Sequence, residues 1–343
     1  MTYQKKTTTL FIFLALFLTL ALLLGVTIQP FVSPIFSNPP VVDAQRLQDH
    51  VKKLSVDFYP RSFEQTEQIN RAAAYIEREL RTSGARVSIQ KVSIEGASYK
   101  NIIASFGPET NTDKTGLLVF GAHYDSHGDE LAGARQQRKF SLQTHTPGAD
   151  DNASGVAGLI ELARLLGQSP QNRAIELVAY TTEEPPHFRT EHMGSRWHAK
   201  ALSQSQRPIK LMMSLEMIGF FRDTPGSQTY PVPGMTSVYP NQANFVAIVG
   251  QLRSFSETRR LKAIMAGATT LPVYSINAVP ALQGIDFSDH QSYWHEGFAA
   301  LMITDTSFLR NPNYHQAGDT FDTLDYTRMA QVVQSVYAVS QLF

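Results

Sequence analysis

Gly116-Leu117-Leu118-Val119-Phe120-Gly121-Ala122-His123-Tyr124-Asp125-Ser126, with Pro147-Gly148-Ala149-Asp150-Asp151-Asn152-Ala153-Ser154-Gly155 downstream, decides the fold. The first stretch opens as a near-continuous apolar run, the pattern of a strand buried on both faces. It ends in a histidine and a carboxylate. The second is a Gly/Pro-flanked loop with two consecutive aspartates, and it runs into a helix-like segment over 154–166. A strand, a polar loop and a helix form the unit of an open α/β sheet, where ligands bind beyond the carboxyl ends of the strands.

The flanking segments repeat that unit. Upstream, helices are expected over 42–55 and 66–83, the second with Thr66 as N-cap and Gly84 as stop. Residues 86–94 alternate apolar and polar side chains and 100–106 follow closely, so the two strands are expected to pair antiparallel at an edge. Downstream, the pattern predicts strands over 174–181, 210–216 and 299–304. Helices are expected over 195–203, 241–255 and 325–342. The resulting class is α/β: a three-layer sandwich whose mixed, mostly parallel central sheet is flanked by helices. Two long polar stretches, 128–146 and 221–239, are read as functional loops.

Composition narrows the chemistry. Lys+Arg and Asp+Glu each number 30 in 343 residues, with no basic stripe, which argues against a nucleic-acid partner. There is no cysteine, so any metal must be held by histidine and carboxylate, and a thiol nucleophile is excluded. Lys5 and Lys6 precede an apolar run over 10–28, interrupted only by Thr19, Gly25 and Thr27. About 20 residues span a bilayer as a helix. The run is therefore expected to be a signal anchor within 1–30, or a signal peptide, with 31–41 a linker and 42–343 the working domain. Positive charge ahead of the run places that domain outside the cytoplasm, periplasmic or extracellular, tethered to the lipid bilayer, or secreted if the leader is cleaved.

Each predicted strand end delivers a donor. His123 closes the third strand, Glu183 and Glu184 follow the fourth, Glu216 closes the fifth, and His315 follows the last. Asp150 joins from the loop ahead of the central helix. Any one of these alone would read as a satisfied core histidine or a solvated loop acid. Two histidines and three acids at one sheet edge suit zinc, either one ion or a pair.

His-x-Asp at 123–125, Gly-Ala-Asp-Asp-Asn-Ala-Ser-Gly, Glu-Glu at 183–184, a strand-end acid and a late His resemble the two-zinc aminopeptidases. That family includes bacterial leucyl aminopeptidases and the glutamate carboxypeptidase and transferrin-receptor ectodomains. Gly-Ser-Arg at 194–196, Ser-Asp-His at 288–290 and His-x-x-x-Asp-Thr at 315–320 extend the match. The resemblance implies a phosphorylase/hydrolase-like fold and an exopeptidase that cleaves amino-terminal residues from peptides. It implies two zinc ions bridged by Asp150, one completed by His123 and Glu216, the other by Glu184 and His315. Glu183 would be the general base and Asp125 the partner of the second His123 ring nitrogen, while Asp151 would shape the loop. Asp289 and His290 are candidates to line the site. The strand-end acid is often Asp in that family and is Glu216 here, with Asp223 a less well-placed substitute.

The absence of His-Glu-x-x-His excludes the helical zinc proteases, and the absence of Gly-x-Ser-x-Gly weakens a serine hydrolase. The same resemblance extends to glutaminyl-peptide cyclases, acyltransferases that use one zinc, and to non-catalytic ectodomains. A non-catalytic relative would have lost ligands.

Overall fold

The computed structural model describes residues 13–15, 18–19, 21–108, 116–128, 145–205 and 207–343. Strands β1 (Arg86–Ile94) and β2 (Ala97–Phe106) form a hairpin whose connection is Glu95-Gly96. Both residues have positive φ, 49° and 88°, as a two-residue turn matched to strand twist requires. The remaining strands are β3 (Leu117–His123), β4 (Ile175–Tyr180), β5 (Ile209–Glu216), β6 (Val246–Gln251), β7 (Val273–Ala278) and β8 (Ala300–Thr304). They make one sheet in the order β1-β2-β4-β3-β5-β8-β6-β7. The inner strands β4, β3, β5 and β8 are mutually parallel, so their carboxyl ends share one edge. Strand β6 is antiparallel to β8 and parallel to β7. The amino ends of β6 and β7 therefore lie at that same edge.

Helices α1 (Ala44–Lys52), α2 (Thr66–Thr82), α3 (Gly155–Leu166), α5 (Phe255–Ala268) and α7 (Tyr326–Leu342) pack into the larger apolar core on one face. Helices α4 (Gly194–Gln204) and α6 (His290–His295) cover the other. Strand β3 is buried along its whole length. Truncating a residue such as the fully buried Phe120 to Ala would cost about 3–5 kcal/mol. At Gly121 a Cβ would collide with the Tyr180 ring, whose hydroxyl is hydrogen-bonded to Tyr293, so the residue before the His123 turn must be small.

Three expectations change. The segment 241–255 is strand β6 rather than a helix; Pro240 and the run Phe245-Val246-Ala247-Ile248-Val249 favour extended chain, and pairing with β8 and β7 settles it. Strand β7 and helix α6 were not expected. The stretch 31–41 is not a free linker. The Ile35 N–H donates to Ala263 O at 2.8 Å and the Ser37 N–H to Gly267 O at 3.1 Å. Gln29 is buried and accepts from Ser275 Oγ at 2.6 Å, and Lys262 Nζ donates to Gln29 O at 2.9 Å. Burial there, with Arg259 nearby, pushes the Lys262 ammonium down to about 8.

Among the described residues no helix is long and apolar enough to cross a membrane. Residues 10–12, 16–17 and 20 of the run 10–28 lie outside them, as does most of the loop 128–146.

Candidate metal centre

The carboxyl ends of β3, β4, β5 and β8 bring two groups of donors together. His123, Asp151 and Glu216 form one, and His127, Glu184 and His315 the other; the donor atoms in each lie within 4.8 Å of one another. Asp151 joins them. Its Oδ1 is 3.3 Å from His123 Nε2 and its Oδ2 is 3.2 Å from His315 Nε2. Glu216 Oε2 stands 3.4 Å from His123 Nε2, and Glu184 Oε2 3.2 Å from His315 Nε2.

The aspartate between the groups is thus Asp151, and the expected bridge at Asp150 is corrected. Asp151 and Asn152 depart from helical backbone, with φ/ψ of −104°/91° and −130°/44°. Asp319 fixes the turn by accepting from the Asp150 N–H at 2.9 Å and the Asp151 N–H at 3.1 Å. Asp150 points the other way. It accepts from the Gly219 N–H at 3.0 Å and Asn311 Nδ2 at 2.9 Å, and burial beside Asp305 holds its carboxyl well above the ordinary range. Asn152 then laces the loop to β5, donating to Leu215 O at 2.8 Å and accepting from the Met217 N–H at 3.0 Å.

Thr182, at φ 53°, lets the chain turn so that Glu183 and Glu184 diverge. Glu184 enters the second group. Glu183 stays outside both, with Oε2 3.9 Å from His123 Nε2. Asp125 Oδ1 lies 3.4 Å from the other His123 nitrogen, while its Oδ2 accepts from the Glu184 N–H at 3.0 Å. Ser288 Oγ donates to Glu216 Oε2 at 2.8 Å. Asp289 is fully buried nearby, whereas His290 turns away to Ile285 O at 2.8 Å. Asp223 is exposed and paired with Arg328, remote in role from the cluster.

His127 escaped the sequence reading. The signal was present: in His123-Tyr124-Asp125-Ser126-His127 an extended chain puts positions i, i+2 and i+4 on one side. Its ring stacks on that of His315, with centroids 3.8 Å apart and planes at 17°.

A profile of peptidase family M28 matches residues 101–340. The chain belongs to peptidase family M28. A protein of Escherichia coli described as uncharacterized protein YfbL is 45% identical over 331 residues, covering 95% of this chain and 96% of that one. Leucine aminopeptidase 1 of Coccidioides posadasii is 29% identical over 75% of this chain, which spans 59% of that protein's length. A leucine aminopeptidase precursor of Bacteroides thetaiotaomicron superposes with TM-score 0.64 at 19% identity, over 89% of this chain and 99% of that one. A glutaminyl cyclase of the same organism superposes with TM-score 0.63 at 20% identity, over 89% and 100%. The fold is therefore common to both activities.

This M28 chain is a metallopeptidase, and its donors fit a metal. Burial opposes charge on His123, but Glu216, Glu183, Asp125 and Asp151 hold its pKa well above the ordinary value. Burial likewise opposes charge on His315, yet Glu184 and Asp151 raise it to about 11. Asp151, despite burial, is driven below the usual carboxylate range by the same two histidines. Carboxylates crowded this tightly require cations among them, and divalent ions in place of the imidazole protons would meet that need. Glu183 differs. Burial raises its pKa well above the ordinary value; His123 opposes the shift, and Glu216, Asp289 and Glu184 add to it.

Proposed function

We propose that this M28 peptidase is a zinc aminopeptidase that removes amino-terminal residues by attack of an activated water, with Glu183 as general base. The observation that carries the reading is the placement of Glu183. It is buried beside two donor groups joined through Asp151, and belongs to neither. His123, Asp151 and Glu216 would hold one zinc ion and Glu184, His315 and Asp151 the other, with the His127 ring stacked on His315. Bound zinc supplies a water of lowered pKa and polarises the scissile carbonyl. Asp125 orients His123 through its second nitrogen. Glu183, already biased toward taking a proton, accepts one from the attacking water and returns it to the leaving amine.

An apolar cavity opens against Glu216. Its walls include Tyr230, Tyr239, Phe245, Tyr274, Phe287 and Phe308. A cavity of this composition supports an apolar side chain on the amino-terminal residue, excluding water around it. Two complete donor groups favour hydrolysis over the single-zinc cyclisation of a glutaminyl cyclase. The leader over 10–28 adds that the enzyme works outside the cytoplasm, which fractionation of cells tests.

Glu183→Gln should lower turnover roughly 10²–10⁴-fold with zinc content unchanged. Glu184→Gln should lose zinc together with activity. Zinc content and release of free amino acid from unblocked and amino-blocked peptides, compared across both variants, decide the matter. Near-normal turnover in Glu183→Gln would remove the base from this mechanism, and cleavage of the blocked peptide would end the aminopeptidase reading.

A further inference from the structure

We infer that the sheet edge opposite the metal centre is a membrane-docking surface, seated on the lipid bilayer through Leu252, Phe255 and Val279, so that the metal centre faces away from the lipid. The inference rests on reading the apolar run 10–28 as a membrane anchor, and it does not depend on the peptidase chemistry.

The apolar run is joined to the domain by specific bonds at its end. Residues 21–27 are helical; Leu22 and Leu23 are exposed, while residues 24–28 are half-buried. Lys262 Nζ, on α5, donates to Ile28 O at 3.2 Å and to Gln29 O at 2.9 Å. A cation on the last carbonyls is one way a helix carboxyl terminus is held. Gln29 Nε2 donates to Asn277 Oδ1 at 3.4 Å, and Asn277 Nδ2 donates to Gln251 O at 2.9 Å. Two side chains thus tie the end of the run to the carboxyl ends of β7 and β6.

Those ends are unusually apolar at their surface. Gln251 of β6 pairs with Ala278 of β7, so the next residues, Leu252 and Val279, stand side by side. Leu252–Ser254 is a 3-10 turn, and its three-residue repeat brings Phe255 onto the face of Leu252. Leu252 is 40% exposed, Phe255 45% and Val279 53%. Arg253 and Arg259 are exposed beside them, against one acid, Glu257, in the first turn of α5. A bilayer interface takes this composition: apolar tips sink below the headgroups while guanidinium groups stay level with the phosphates. The continuity with an apolar run, bonded to the same strand ends, is what selects lipid as the occupant.

The direction of the sheet then sets where the reaction takes place. Strand β6 is antiparallel to β8, so Leu252 and Val279 lie at the edge remote from His123 and Glu216. The six residues of β6 span roughly 20 Å. The metal centre is held at about that height above the lipid and takes peptides from the water phase.

The chain has no cysteine, so a single one can report on one position. Leu252→Cys, Val279→Cys and Val232→Cys are each labelled with an environment-sensitive fluorophore in the full-length protein. The labelled proteins are reconstituted in vesicles of phosphatidylethanolamine and phosphatidylglycerol. Val232 is the control: it is 42% exposed and follows Pro231, which lines the cavity against Glu216 at the catalytic edge. Labels at 252 and 279 should be quenched several-fold by a spin-labelled lipid and shielded from iodide, and the label at 232 should behave in the opposite way. Circular dichroism checks that each variant is folded, and positions 252 and 279, which follow different strands, give independent readings. If the protein floats with the vesicles but all three labels are equally open to iodide, or all three are quenched alike by the lipid, the docking inference falls while the anchor reading stands. If the protein does not float with vesicles at all, the anchor reading falls and this inference with it.

Discussion

A single backbone turn decides which of two adjacent aspartates meets the ions. Asp151 has one oxygen for each histidine, while Asp150 is committed to Gly219, Asn311 and the Asp305 side. Asp151→Asn should abolish zinc uptake, because the amide neutralises the charge between the groups. Asp150→Asn should leave zinc bound and cost roughly 1–2 kcal/mol, the loss of one buried acceptor. Zinc content and denaturant unfolding of the two variants separate these outcomes, and the reverse pattern would restore Asp150 as the bridge. Sequence could not make this choice. Asp-Asp in a loop is symmetrical on paper, and the contacts that break the symmetry come from Asp319, 168 residues away in the chain. His123, Glu184, Glu216 and His315 were legible because strand ends announce themselves by apolar runs that stop. Arg61 was not. It is fully buried and donates to Tyr124 O, Leu54 O, Pro147 O and Gly148 O, tying the His123 segment to the aspartate loop, yet it sits in a stretch without periodicity.

The elements that place these residues are joined by buried charge as well as apolar contact. On α3, Glu161 accepts from Arg46 of α1 at 2.8 Å and Arg164 at 2.8 Å, with His50 at 3.7 Å. Burial would raise its pKa, but His50, Arg164 and Arg46 bring it down to about 2 from 4.5. A carboxyl lowered on folding stabilises the native state above its unfolded pKa. That contribution is lost as pH falls from 4.5 toward about 2. Glu161→Gln should therefore cost roughly 2–3 kcal/mol near neutrality, with the gap to wild type closing in acid. A gap that stays constant with pH would show the pair to be ordinary packing. Legibility followed burial at this scale too. The inner strands β3, β4, β5 and β8 were read within a few residues because their apolar runs have no helical period. Strand β6 was taken for helix because Ala243 to Leu252 is equally apolar in either periodicity, and only its neighbours in the sheet resolve it. Strand β7 alternates buried and half-buried residues at the sheet edge and gave too weak a signal.

For the molecule as a whole, the segment ahead of residue 42 is hydrogen-bonded to the domain that follows it. A chain beginning at residue 42 would leave Ser275 Oγ without Gln29 and remove the backbone bonds of Ile35 and Ser37. Each buried polar group left unpartnered costs about 1–3 kcal/mol. The shorter chain should melt several degrees below one beginning at residue 28, at equal zinc content; equal melting temperatures would return 31–41 to the status of a spacer. The apolar cavity has a different reach. Strands β6 and β7 supply Ala247, Val249, Tyr274 and Ile276 to its wall and none of the zinc-binding candidates. Substitutions in those two strands would therefore reshape the chamber proposed to receive the substrate's first side chain while leaving every candidate zinc ligand in place.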